Sequence, residues 1–284
     1  MSAIGISVFQ GYGPDHEPFG LHTAERIDSN ELLKLSGVRH ASAYGLQVAL
    51  LAHAARAAIG DARTGIDARR ALVTNGGPWA IETALGFLKT ARDRGSQFVN
   101  PLVFPATLVS AGAAVVGITI GAGAVAIAVG HDELAFFEML RRSRQLISHG
   151  VADQIIAAAA CAPSAALITT LRIAGRTARI GECSVAFRLE ADMHAAMVLE
   201  DITIGSDPSP WSSVSLRVEA SVSPEGWTVS EGCTLADRQF LSASGAVLCA
   251  TALRRYLTDA PSGQAMVVTC RRSGVIGAAK FRKR

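Results

Sequence analysis

A chain of 284 residues is long enough to bury a sizeable core, as one large domain or as two closely packed halves. It is 49% hydrophobic and only 18% charged, with a mean hydropathy of +0.29, which calls for a deep core, a large subunit interface or membrane contact. The net charge of +3 is mild, its basic excess lies mostly in the tail KFRKR, and no basic stripe with interleaved aromatics speaks for nucleic acid.

Taken in chain order, IGISVF near the N-terminus reads as a short strand. No basic n-region or long apolar core precedes or follows it, so no signal peptide is expected. Residues 29–59 carry a long helical pattern, either one helix or two broken near Gly37, with Gly60 placed to cap its end. RRALVTNGG is a strand entering a glycine turn, and PWAIETALGFLKTARDRG follows as a helix with Pro78 in its first turn. A buried small-residue helix is expected near 107–120 and a β-rich strand at 125–129. The amphipathic segment 132–149 offers Leu134, Phe137, Met139, Leu140 and Ile147 to one face, and DQIIAAAAC is a buried strand. After Ile180 the texture turns strand-rich: GECSVAFRLE, AMVLEDITIG, SSVSLRVEASV and GWTVSEG, then a helix near 242–257, then AMVVTC and GAAKFRK. Alternating strands and helices in the first part predict an α/β layered fold with a fully covered sheet.

Between residues 98 and 130 there is no charged residue, which is enough length to span a bilayer. Pro101, Pro105 and the GAG at 121–123 break the run, and no aromatic belt or basic cluster flanks it, so burial in protein is the better reading and no membrane span is expected. The cysteines at 161, 183, 233, 249 and 270 have no C-x-x-C spacing and read as reduced, mostly buried thiols of a cytoplasmic protein. No histidine or cysteine set has metal-ligand spacing, and no cofactor or metal is expected. Arg141, Arg142 and Arg144 form a basic helix face that is either solvated or a contact for an acidic carrier protein.

The most informative stretch is VAIAVGHDEL at 125–134, where a strand turns sharply into a helix and His131 sits at the bend. His131 is either a general base or a structural cap or pocket plug. Adjacent side chains diverge, so His131 and Asp132 form no dyad on spacing alone, and the acids suit a helix first turn. The plug is the better reading.

Four segments in order resemble the β-ketoacyl synthase family, which has the thiolase fold. NPLVFPATLVSAGAAVVGITIG (100–121) is similar to the family's segment leading to the nucleophile, and QLISHGVADQIIAAAACA to the one that follows. GECSVAFRLE matches at Gly181, Glu182, Leu189 and Glu190, and LSASGAVLCATALRRYL at Gly245 and Ala246. The resemblance implies a thiolase-like α-β-α-β-α fold with a ketosynthase-like half at 1–180. A shortened, strand-rich half at 181–284 would pack with it as one unit.

The departures from the family are as telling. His131 falls at the nucleophilic cysteine, give or take one residue; Gln239 stands where one active-site histidine is expected; and the region of the other is missing. The family's phenylalanine-containing gating loop is replaced by CRRSGVIG, which puts Arg271 and Arg272 at the pocket or gate. No catalytic residue is then expected, because an imidazole forms no comparable acyl intermediate. The resemblance implies a non-catalytic, chain length factor-like subunit. It would pair, preferably as a heterodimer, with an active ketosynthase acting on acyl-carrier-protein substrates in polyketide, aryl polyene or fatty-acid-type elongation. The small-residue stretch 106–129 suits a tight interface of this kind. The competing reading is an acyltransferase or hydrolase with His131 as general base and Ser110, Ser242 or Ser244 as nucleophile.

Overall fold

The structure, a computed structural model, describes residues 4–9, 29–38, 41–60, 65–76, 80–130, 132–175, 179–180, 182–191, 195–206, 211, 216–222, 227–229, 238–239, 243–259 and 261–284. The first half contributes strands β1 (Ile4–Phe9), β2 (Arg70–Asn75), β3 (Val125–Val129) and β4 (Gln154–Cys161). Its helices are α1 (Ser29–Leu35), α2 (Ala41–Ile59), α3 (Ile81–Arg94), α4 (Val109–Thr119), α5 (Ala135–Ser148) and α6 (Ala165–Ile173). Then come β5 (Arg179–Ile180), β6 (Cys183–Glu190), β7 (Met197–Gly205), β8 (Leu216–Val222), β9 (Trp227–Val229), β10 (Arg238–Gln239), α7 (Ser244–Asp259), β11 (Ala265–Arg272) and β12 (Val275–Lys283).

Ten strands form one ladder in the order β3-β2-β4-β6-β1-β7-β12-β11-β8-β9. The pairs β2–β3 and β2–β4 are parallel, as their helical crossovers require. The period of two then sorts side chains between two cores. Ala71, Val73, Ile155, Ala157, Ala159, Val185 and Phe187 join α5, α7 and the inward residues of β11 and β12 in one core. Leu72, Ile156, Ala158, Ala160 and Ala186 face the other way, against α1, α2 and α4. Because α5 also touches β7 and β12, the ladder curls around α5 and α7 and sandwiches them. This is the expected layered α/β architecture; among the described residues, no helix covers the far side of the second half, as suits its strand-rich sequence.

Two expectations change. α4 is not a buried helix but a half-buried one: Gly112, Ala113, Val116 and Gly117 face the core, while Ile118 is 81% exposed. α6 lies where the pattern predicts no helix; Ser164 caps it by accepting the Leu167 N–H at 3.2 Å. The long pattern at 29–59 resolves into α1 and α2, with the break at Gly37. No helix among the described residues is long and apolar enough to cross a membrane.

Candidate functional site

β3 delivers the chain to the N-terminus of α5 through Gly130, whose φ of +60° a side chain would rarely tolerate. A Cβ there would also stand 3.1 Å from the Ala135 Cβ. The bend read from VGHDEL is therefore real and tight. Position 131 itself, with His131, lies outside the described residues.

The residues next to it are well placed. Asp132 Oδ1 accepts the Leu134 N–H at 2.9 Å and so closes the turn that leads into α5. Asp132 Oδ2 meets Arg272 Nη1 at 3.1 Å. Glu133 is only 1% exposed, and its Oε2 lies 2.9 Å from Arg272 Nε. Two carboxylates thus occupy the positive end of α5, with a guanidinium drawn in from the end of β11. Burial of the Cys270 thiol, reinforced by the nearby Glu133 and Asp132 carboxylates, pushes its pKa up to about 12.

Close backbone contacts hold this corner together. On α7, a Cβ at Gly245 would sit 3.1 Å from the Glu133 carbonyl oxygen and 3.3 Å from the Phe137 ring. On β12, one at Gly277 would sit 2.5 Å from the same ring. The Gly245–Ala246 pair picked out in the sequence therefore marks where α7 crosses the start of α5.

The other candidates are scattered. Gln239 is in β10, paired with Ile180 of β5; its side chain lies outside the described residues. Arg271 and Arg272 end β11, and the segment CRRSGVIG is a two-residue hairpin turn, Ser273–Gly274, both with positive φ. Arg271 is exposed, whereas Arg272 reaches α5. Ser110 is exposed on α4; Ser242 and the Ser244 side chain lie outside the described residues. The basic face of α5 is internally compensated: Arg141 and Arg142 both pair with Glu138, and Arg144 pairs with Asp201 at 2.7 Å. Cys161, Cys183 and Cys249 are buried free thiols whose pKa values burial raises, so none has the character of a nucleophile.

Sequence reading missed two features. The Arg272 contact to Asp132 and Glu133 joins positions far apart in the chain and leaves no local signal. Buried Asn75 clamps the end of β4, donating to the Ala160 carbonyl at 2.8 Å and accepting its N–H at 3.0 Å. Its only sequence cue is an asparagine closing an apolar strand.

No family model and no curated protein matches the chain. Solved structures do. The ishigamide ketosynthase/chain length factor aligns with 99% of this chain and 99% of its own, at a TM-score of 0.72 and 15% identity. A ketosynthase bound to its type II acyl-carrier protein, AntDE:AntF, aligns over 100% of both chains at a TM-score of 0.69 and 16% identity. The ketosynthase ApeO in complex with its chain length factor ApeC, from Xenorhabdus doucetiae, aligns over 100% of both at 0.53 and 12%. The chain therefore has the thiolase-like fold of the ketosynthase and chain length factor proteins.

Proposed function

We propose that this chain is a non-condensing, chain length factor-like subunit that pairs with an active β-ketoacyl-ACP synthase acting on carrier-protein-bound acyl chains. The observation that carries the reading is an uncovered apolar flank. β3 is the end strand of the ladder and has no charge, proline or bulge to discourage pairing. Beside it lies helix α4, which packs on the 3₁₀ segment Pro101–Thr107; that segment and Ser96–Phe98 in turn pack on α3, a 14-residue helix with no buried residue. Leu85, Leu88, Phe98, Phe104, Leu108 and Ile118 are all exposed on these elements. A surface this apolar beside an open strand edge favours a protein partner. Ketosynthase ApeO with chain length factor ApeC is a partnership between proteins of this same fold.

The α5 end supports the non-condensing part of this reading, since Asp132 and Glu133 stand next to position 131. Two carboxylates sharing one guanidinium leave net negative charge there, which opposes the thiolate and the acyl-transfer anions that a condensing site must stabilise.

The test is co-expression with the ketosynthase encoded beside it and purification through a tag on this chain. A stoichiometric complex that alone condenses chains is expected. Ile118→Asp should abolish the complex without lowering the Tm of the isolated chain, and His131→Ala should leave condensation intact. Elution of this chain without a ketosynthase, or loss of turnover in His131→Ala with the complex retained, would defeat the proposal.

A further inference from the structure

Two basic segments far apart in the sequence, the outer face of α5 and the stretch 280–284, meet in the fold. Arg144 of α5 reaches Asp201 on β7, and Asp201 lies opposite Lys280 of β12. The register shifts after Lys280, which leaves Glu200 as an extra residue beside Asp201 and sets two carboxylates against one stretch of β12. Glu200 pairs with both Lys280 and Arg282, just as Glu138 pairs with both Arg141 and Arg142. β12 ends at Lys283, and the exposed Arg284 follows, its N–H donating to the Ala196 carbonyl at 3.0 Å. These pairs leave charge over. The described side chains of this face comprise seven bases and three carboxylates, a surplus larger than the +3 of the whole chain. The shared carboxylates also lie beneath the guanidiniums: Glu138 is 20% exposed against 48% and 49% for Arg141 and Arg142, and Glu200 is likewise deeper than Arg282. Asp201, paired with the less exposed Arg144, is the one acid at the surface. Most of the bases are arginines, whose planar fork matches a carboxylate. Among the described residues no large apolar side chain is exposed on α5, β7 or 280–284, so nothing here is fitted to enter lipid or to stack on bases.

We propose that this face, from Arg141 on α5 to Arg284, docks an acidic protein surface through carboxylate–guanidinium pairs. The partner's carboxylates take up the outer guanidinium edges, which Glu138 and Glu200 each divide between two bases. The proposal goes beyond the subunit reading and stands without it. The face uses none of the elements of the apolar flank, and Arg144 and 280–284 lie toward the end of α5 away from the bend at Gly130.

Fluorescein-labelled poly-L-glutamate, titrated with the isolated chain and followed by anisotropy, tests it. Wild type should bind, with an affinity that falls as salt rises. Arg141→Gln/Arg142→Gln/Arg284→Gln should weaken binding by about tenfold. Lys34→Gln/Lys89→Gln/Arg172→Gln removes the same charge from exposed positions on α1, α3 and α6, and should change binding by less than about twofold. If the first triple variant loses its native circular dichroism, Arg141→Gln/Arg284→Gln replaces it, with an expected loss of about threefold or more. Absence of binding by wild type, or equal losses in the face and control variants, would overturn the proposal. So would a face variant that loses binding to phosphatidylserine vesicles or duplex DNA yet keeps poly-L-glutamate, because the face would then serve phosphates and not protein carboxylates. No ketosynthase is present in these titrations, so they leave the pairing test untouched.

Discussion

Gly277→Ala probes whether the corner where β12, α5 and α7 meet is as tightly closed as the geometry indicates. The added methyl would lie 2.5 Å from Phe137 Cδ2 and 2.7 Å from Cγ, about 1 Å inside the ~3.5–4.0 Å optimum for carbon pairs. Phe137 is fully buried, and Gly245 of α7 also approaches its ring, so the ring has little room to retreat. Overpacking of this kind costs about 1–3 kcal/mol. At roughly 2–4 °C per kcal/mol for a domain somewhat smaller than this one, Tm should fall by about 2–10 °C. Gly205→Ala is the matched control, on β7 opposite Ile276, where a Cβ would meet nothing within 4 Å. It should be neutral or stabilise by about 0.5–1 kcal/mol. Thermal unfolding by circular dichroism at matched concentration decides. Equal Tm values for the two variants would mean that the α5–β12 contact is loose and that the closed corner is misjudged.

Acid stability offers another check. Burial raises the Glu200 pKa, but hydrogen bonds from Arg282 and Lys280 outweigh it and hold the carboxyl below its ordinary 4.5. A depressed folded pKa adds stability above the unfolded value and loses it as pH falls through the folded one. The urea midpoint of Glu200→Gln should therefore lie below that of wild type at neutral pH, with the gap narrowing as pH falls below 4.5; a gap that widens as pH falls would contradict this sign. The thiols give a further test. Cys161, Cys183, Cys249 and Cys270 are buried with raised pKa values, so Ellman's reagent at pH 8 should reach them only after denaturation. Rapid native labelling of any of the four, identified by peptide mapping, would refute the packing around it.

The elements that were legible in the sequence are those whose pattern is local. The apolar run of β4, the amphipathic period of α5 and the glycine at the β3–α5 bend each follow from a few neighbouring residues. α6 was hidden because its exposed threonines and isoleucine show no clear apolar face, and only the Ser164 cap marks its start. The exposed side of α4 could not be told from its buried side, since its residues are apolar almost all round. At the site, the sequence located the bend and the acids at 132 and 133 but not what balances them. That partner, Arg272, was singled out only as a gate residue, and charge pairing across the fold is set by topology that no local spacing encodes.

The place of β1 in the ladder bears on how the chain comes to be folded at all. Residues 4–9 are made long before their partners β6 and β7, with Gly5 opposite Glu190 on one side and Val198 on the other. Until β6 and β7 have been made, β1 has nowhere to dock in the ladder. Closing so long a loop is slow, and apolar strands wait exposed meanwhile. Synthesis of this protein therefore passes through a stage at which β1 waits unpaired while the chain between it and its partners is made.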